Sequence, residues 1–180
     1  AMRKAGCRTL IVLGGDGTNR VVARTWRDAV LLPLSTGTNN VFPHRVEATA
    51  GGAAAGLVAA GAVELEACAA RAKVVEVEIE DEPSDLALID AAFLVGETLG
   101  NLMPFDPEQL RALVLSRAEP HAVGMSPIGG LLAPCSAEDE SGVWVRCAAS
   151  REVARPLLVP VSPGLYRPVG VTGYGSLSQK

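Results

Sequence analysis

Apolar and polar positions follow one another with two different periods in the two parts of this chain. In the first part, short apolar runs alternate with segments of helical spacing. Thr9–Leu13 predicts a buried strand, Asn19–Trp26 a helix and Ala29–Leu34 a second strand. A further helix is expected over about Val46–Ala60, within an Ala- and Gly-rich stretch bounded by Glu47 and Glu64. A strand–helix–strand order with parallel strands puts the loop after each strand at the same carboxyl edge of one sheet. After Gly61 the period becomes two. Lys73–Glu80 alternates cleanly, with Val75, Val77 and Ile79 on one face, as in a half-exposed antiparallel strand. Glu82–Asp85 reads as a turn, and Leu86–Gly96 as a more continuous apolar strand interrupted by Asp90. Asp106 and Pro107 have the form of an N-cap and a first helical residue, and predict a helix to about Arg117. Gly142–Ala148, Leu157–Val161 and Val169–Thr172 predict short strands between Pro and Gly turns. The fold class expected is an α/β N-terminal part (parallel sheet with helices) over residues 1–64, then a β-rich domain over residues 65–180. The first strand lies so close to residue 1 that further residues upstream are expected, since a parallel sheet needs neighbours on both sides.

Composition narrows the partners. The 180 residues are 48% hydrophobic but only 4% aromatic, so the core is built mainly of Ala, Val and Leu. A net charge of −4 argues against nucleic acid or an anionic membrane as a general partner. Four cysteines, Cys7, Cys68, Cys135 and Cys147, form no Cys-x-x-Cys pair, and the two histidines are His44 and His121, so a zinc site is not expected. Scattered thiols in an acidic chain, with no targeting or membrane-spanning segment visible, suggest a reducing, cytoplasmic setting. A homo-oligomer is expected.

The chemistry concentrates in two loops. The first strand runs into Gly14-Gly15-Asp16-Gly17-Thr18-Asn19. Glycines between a strand and a helix let backbone N–H groups face an anion, and the helix N-terminus adds partial positive charge. The Walker lysine is absent, and Arg20 stands where the dinucleotide fingerprint requires its third glycine. What remains is a glycine cradle with Asp16 inside it. Asp16 would repel phosphate unless it ligates a bridging Mg²⁺ or accepts a proton from an attacking hydroxyl. It could also simply cap the helix. The second strand runs into Ser35-Thr36-Gly37-Thr38-Asn39-Asn40, whose hydroxyls and amides suit ribose, phosphate oxygens or a base edge.

Gly14-Gly15-Asp16-Gly17-Thr18 resembles the Gly-Gly-Asp-Gly-Thr signature of the NAD kinase and diacylglycerol kinase superfamily, and Gly37-Thr38-Asn39-Asn40-Val41-Phe42 resembles the element that follows it in the lipid-kinase branch. The fuller run Leu34–Pro43 is most similar to an NAD-kinase-like family, protein X of acetoin catabolism. The resemblance implies a two-domain architecture of NAD-kinase type with a sandwich-like second domain. It implies phosphoryl transfer from ATP or a related nucleotide, with Mg²⁺, to a small hydroxylated acceptor. Asp16 would be the catalytic acid and metal contact. Gly14, Gly15, Gly17 and Thr18 would shape the phosphate site, with Thr38, Asn39 and Asn40 on the nucleotide and Asn19, Ser35, Thr36 and Gly37 beside them. Two other functions stay open: a non-catalytic nucleotide-binding regulator of acetoin catabolism, and a lipid kinase. NAD kinases carry an Asn-Glu or Asn-Asp pair in the second domain where this chain has Ile89-Asp90. Asp90, a carboxylate within an apolar strand, is either a ligand contact or a structural hydrogen-bonding group. The Gly124–Pro134 loop either lines the site or merely connects, and His44 and His121 read as surface or satisfied histidines.

Overall fold

The computed structural model describes residues 1–96 and 106–178. The chain divides into two units, Ala1–Ala72 and Lys73–Lys180, eight residues beyond the break expected from the change in hydrophobic pattern. In the first unit, strand β1 (Leu10–Gly14) leads through helix α1 (Asp16–Thr25) to strand β2 (Leu31–Ser35), then to helices α2 (Ala48–Ala59) and α3 (Leu65–Cys68). β1 and β2 pair in parallel, from Leu10 opposite Leu31 to Gly14 opposite Ser35. The two strand ends are therefore level, and both polar loops leave from one edge.

Local chemistry explains the helices. α1 starts at Gly15 with no side-chain cap, and Asp16 is the acidic residue of its first turn. α2 is poor in side chains that could fix its start, so Glu47 does it. Its carboxylate accepts the N–H groups of Thr49 at 3.0 Å and Ala50 at 2.9 Å. Those bonds hold the Glu47 carboxyl below its ordinary pKa. Gly51 is buried where a Cβ would press on Leu32 and Leu34, so the helix approaches β2 closely. The buried hydrophobic residues of this unit are Val12, Leu34, Phe42 and Ala55. An apolar cavity of about 280 Å³ lies between Leu31, Ala55, Val58, Val63, Leu65 and Cys68, so the helices close on the strands incompletely. Leu65, Cys68 and the connection after them belong to this packing, which is why the unit extends past residue 64.

The second unit is antiparallel. β3 (Val75–Val77) pairs with β4 (Asp85–Ala87), and a five-stranded sheet follows in the order β5-β6-β7-β9-β8. Its strands are β5 (Asp90–Leu94), β6 (Leu110–Leu115), β7 (Ser141–Ala148), β8 (Leu157–Ser162) and β9 (Leu165–Ser178), with the short helix α4 (Ser126–Gly130) before β7. The inward side chains form one contiguous core, including Leu110, Leu113, Leu115, Ile128, Val143, Val145, Val159 and Val169. β9 serves two neighbours. Residues 165–169 pair with β8 around a turn at Gly164 (φ 74°), and residues 170–178 pair with β7. At the change of partner sits Gly170, where a Cβ would lie 2.4 Å from the Ala148 carbonyl oxygen.

Three sequence expectations are corrected here. The helix expected from Asp106 to Arg117 is a single 3₁₀ turn, Pro107–Gln109, followed by strand β6. The cap is real, since the Asp106 carboxylate accepts the Glu108 N–H at 3.1 Å, but it starts a turn. The next six residues then bond to strands on both sides, a tertiary outcome that overrides local propensity. The long strand expected over Lys73–Glu80 shrinks to three residues. Ile79 is exposed and the chain reverses at Asp81, which has φ 64°. The single strand expected over Leu86–Gly96 is two, β4 and β5, separated at Leu88 and Ile89.

Candidate phosphate-binding loops

The two glycine loops are joined by direct bonds. Asp16 sits at the first position of α1, and its carboxylate turns toward the second loop. Oδ1 accepts the N–H of Phe42 at 2.8 Å and of Val41 at 3.2 Å, and Oδ2 shares the Val41 N–H at 3.2 Å. Asn40 donates from Nδ2 to Ser35 Oγ at 3.0 Å. A Cβ on Gly15 would lie 2.5 Å from Asn40 Oδ1, and one on Gly37 would lie 2.9 Å from Asn40 Nδ2. Those two glycines therefore let Asn40 fit between the loops. Gly14 has a different reason, because the Thr18 side chain folds back over it.

The second loop is closed at its base. Ser35 N–H donates to the His44 carbonyl at 2.8 Å, and His44 N–H to the Pro33 carbonyl at 3.0 Å. Phe42 is buried at the far side of this neck. Between the pinned ends Thr36, Gly37, Thr38 and Asn39 are exposed, and Arg45 reaches back to the Gly37 carbonyl at 3.3 Å. Facing solvent in the first loop are Gly17 and Thr18. Gly17 differs from the other loop glycines, since a Cβ there would meet nothing within 4 Å. Packing within the chain gives no reason for a glycine at that helical position.

The remaining expected site residues divide as follows. Asn19 is fully buried and holds the turn, donating from Nδ2 to the Gly15 carbonyl at 2.9 Å, with Oδ1 unpartnered. Asp90 belongs to the second unit, at the head of β5 opposite Leu115. Ser126, in the Gly124–Pro134 segment, is buried and bonds the Arg117 carbonyl and the Glu119 N–H, so it has a structural task. His121 is at the surface beside Glu119, and His44 is exposed at the loop base. Sequence reasoning missed the Val41 and Phe42 N–H groups and Arg45. Backbone donors leave no trace in residue identity, whereas the cation directly after the loop was readable.

Metal chemistry has narrow support in these residues. Among the described residues no group of three or more His, Cys, Asp or Glu is placed to hold an ion. Asp16 is a single carboxylate already accepting backbone N–H groups, and Mg²⁺ requires a near-octahedral oxygen set. The loops do not fit a resident Mg²⁺. Their exposed threonine hydroxyls, an unobstructed glycine and a helix N-terminus are features suited to an anion. Among the described residues no helix is long and apolar enough to cross a membrane.

A parallel strand pair presenting two glycine loops on one unit, followed by an antiparallel second unit, is the class of protein these features define. Sequence comparison gives the family. Residues 73–180 match the family described as Acetoin catabolism protein X C-terminal domain, and the chain belongs to it. The chain is also 37% identical, over an alignment of 180 residues, to Acetoin catabolism protein X of Cupriavidus necator strain H16. That match covers 98% of this chain and 50% of the relative, so the chain spans about half the length of the curated relative. No solved structure matches.

Proposed function

We propose that this chain takes part in acetoin catabolism and supplies a nucleotide-binding unit to it. The name of the Cupriavidus relative supports the pathway. The loop pair supports the chemistry. In the finer reading the chain is an NAD-kinase-like phosphotransferase, a member of that superfamily in its two-domain architecture, acting on a small hydroxylated acceptor. The observation that carries it is the Asp16 bridge to Val41 and Phe42, which holds two exposed, hydroxyl-bearing loops side by side. Phosphates would lie against the N-terminus of α1 at Gly17 and Thr18, with Thr36, Thr38 and Asn39 on the same edge.

A second reading is a nucleotide-binding regulator without turnover. The same bridge favours it, because a carboxylate bonded to two backbone N–H groups is poorly placed to take a proton from substrate. Calorimetric titration with Mg·ATP, alongside ADP formation over a panel of hydroxylated acceptors including NAD, separates the two. Binding with turnover supports the kinase, and binding alone supports the regulator. No binding by the wild-type protein removes both. Asp16→Ala is expected to weaken binding roughly tenfold or more, about 1.4 kcal/mol, by releasing the second loop.

A further inference from the structure

Away from the loops, the second unit holds a lysine and a cysteine in contact. Lys73 Nζ lies 3.4 Å from Cys135 Sγ, across 62 residues of sequence. The amine is fixed there, donating to the Ser136 carbonyl at 2.8 Å and the Ser141 carbonyl at 2.8 Å. The thiol is fixed as well, with Sγ 3.1 Å from the Ser141 carbonyl, and Cys135 is only 4% exposed. Ser136 is itself anchored, giving its N–H and hydroxyl to Asp139 at 2.6 and 2.8 Å. The chain has three lysines against thirteen arginines. Long basic side chains ordinarily run outward to water, and this one turns inward onto a sulfur. A guanidinium would serve at least as well to bind two carbonyl oxygens, and it could not react as an amine.

We propose that Lys73 and Cys135 form an oxidation-dependent covalent cross-link, a sulfenamide between Nζ and Sγ. The oxidant is a peroxide. The Cys135 thiol attacks one peroxide oxygen, the O–O bond breaks, and sulfenic acid and water result. Sulfur loses two electrons and the peroxide gains them. The Lys73 ammonium releases one proton to solvent. The free amine then attacks sulfur, the S–O bond breaks, and the hydroxyl leaves as water with a proton from nitrogen. Sulfenic acids condense in this way with a neighbouring thiol or a backbone nitrogen, and here the nitrogen is a lysine amine. All four cysteines are free, and the nitrogen is the group already in contact. Two equivalents of thiol reductant reverse the bond, returning amine and thiol and forming one disulfide of the reductant. Lys73 is the first residue of the second unit, so the bond would join the entry of that unit to the segment before β7.

Peptide mapping of the intact chain after mild hydrogen peroxide treatment tests this. The expected product is a peptide pair joining Lys73 and Cys135 at a mass two hydrogens below the sum, with trypsin no longer cutting after Lys73. Thiol reductant restores both the cleavage and the separate peptides. Lys73→Arg, which keeps the charge and N–H donors for the carbonyls, is expected to give Cys135 sulfenic or sulfinic acid with no cross-link. Three results would overturn the proposal. One is Cys135 oxidised in the wild type while trypsin still cuts after Lys73. Another is Cys135 untouched while the exposed Cys7 and Cys68 are fully oxidised. The third, a cross-link retaining one oxygen, would overturn the direct sulfur–nitrogen bond.

Discussion

The two units of this chain distribute apolar material very differently. In the second, eleven buried residues on β6 to β9, α4 and the segments between them form one contiguous core. In the first, the buried hydrophobic residues are Val12, Leu34, Phe42 and Ala55, a cavity lies behind the helices, and Ile11 and Leu13 of β1 are 47% and 65% exposed. Yet both polar loops belong to the thinly packed unit. Its loop edge is held by polar bonds: Asp16 to Val41 and Phe42, Asn40 to Ser35, and Ser35 and His44 across the neck. A binding edge held this way keeps its backbone groups oriented without a large core beneath them. The other unit has the core and shows no comparable loop pair among its described residues.

The largest effect that sharpens this contrast is a core deletion. Leu115, fully buried in β6, should lose about 2–5 kcal/mol on substitution by Ala, and Val12→Ala in the first unit about 1–2 kcal/mol. Urea unfolding followed by separate probes for each unit measures both. Equal losses would erase the distinction. Gly17→Ala comes next and moves two quantities in opposite directions. A helical glycine with open space around it should gain up to about 1 kcal/mol of stability as alanine, while nucleotide binding falls as the new methyl obstructs the phosphate edge. Unchanged affinity would mean that Gly17 faces no ligand. The smallest effect concerns Glu47. Its carboxyl is held below the ordinary value, chiefly by the Thr49 and Ala50 N–H groups. The stabilisation is thus present above the unfolded-state pKa and is lost as pH falls through the lower folded one. Glu47→Gln should destabilise the first unit at neutral pH and converge with wild type in acid, as thermal midpoints from pH 7 downward would show.

Much of the loop edge was legible because glycine, aspartate and hydroxyl residues at a strand end have few other uses. Strand–loop–helix–strand order with parallel pairing follows from the apolar runs alone, and β1 and β2 are level as that order requires. The bond from Asp16 to two backbone N–H groups some 25 residues away was not legible, because any residue type at 41 and 42 supplies the same donors. β6 was misread for a related reason. In Leu110-Arg111-Ala112-Leu113-Val114-Leu115 the buried positions 110 and 113 fit a helical spacing, whereas 113 and 115 fit a strand. The Asp-Pro signature ahead of it favoured a helix. Neighbouring strands on both sides decided the outcome, and they come from distant parts of the chain. The shortening of β3 was likewise set by its partner β4, which is three residues long.

Strand β9 follows all its neighbours in the chain, yet it lies inside the sheet, between β7 and β8. On a ribosome, β5, β6 and β7 emerge and can join one another first. β8 then waits without a strand partner, and β7 keeps an unsealed side until residues 165–178 arrive. A message cut short just before Leu165 would release a protein with most of its apolar residues and an open row of backbone donors and acceptors, the form most prone to join other copies of itself.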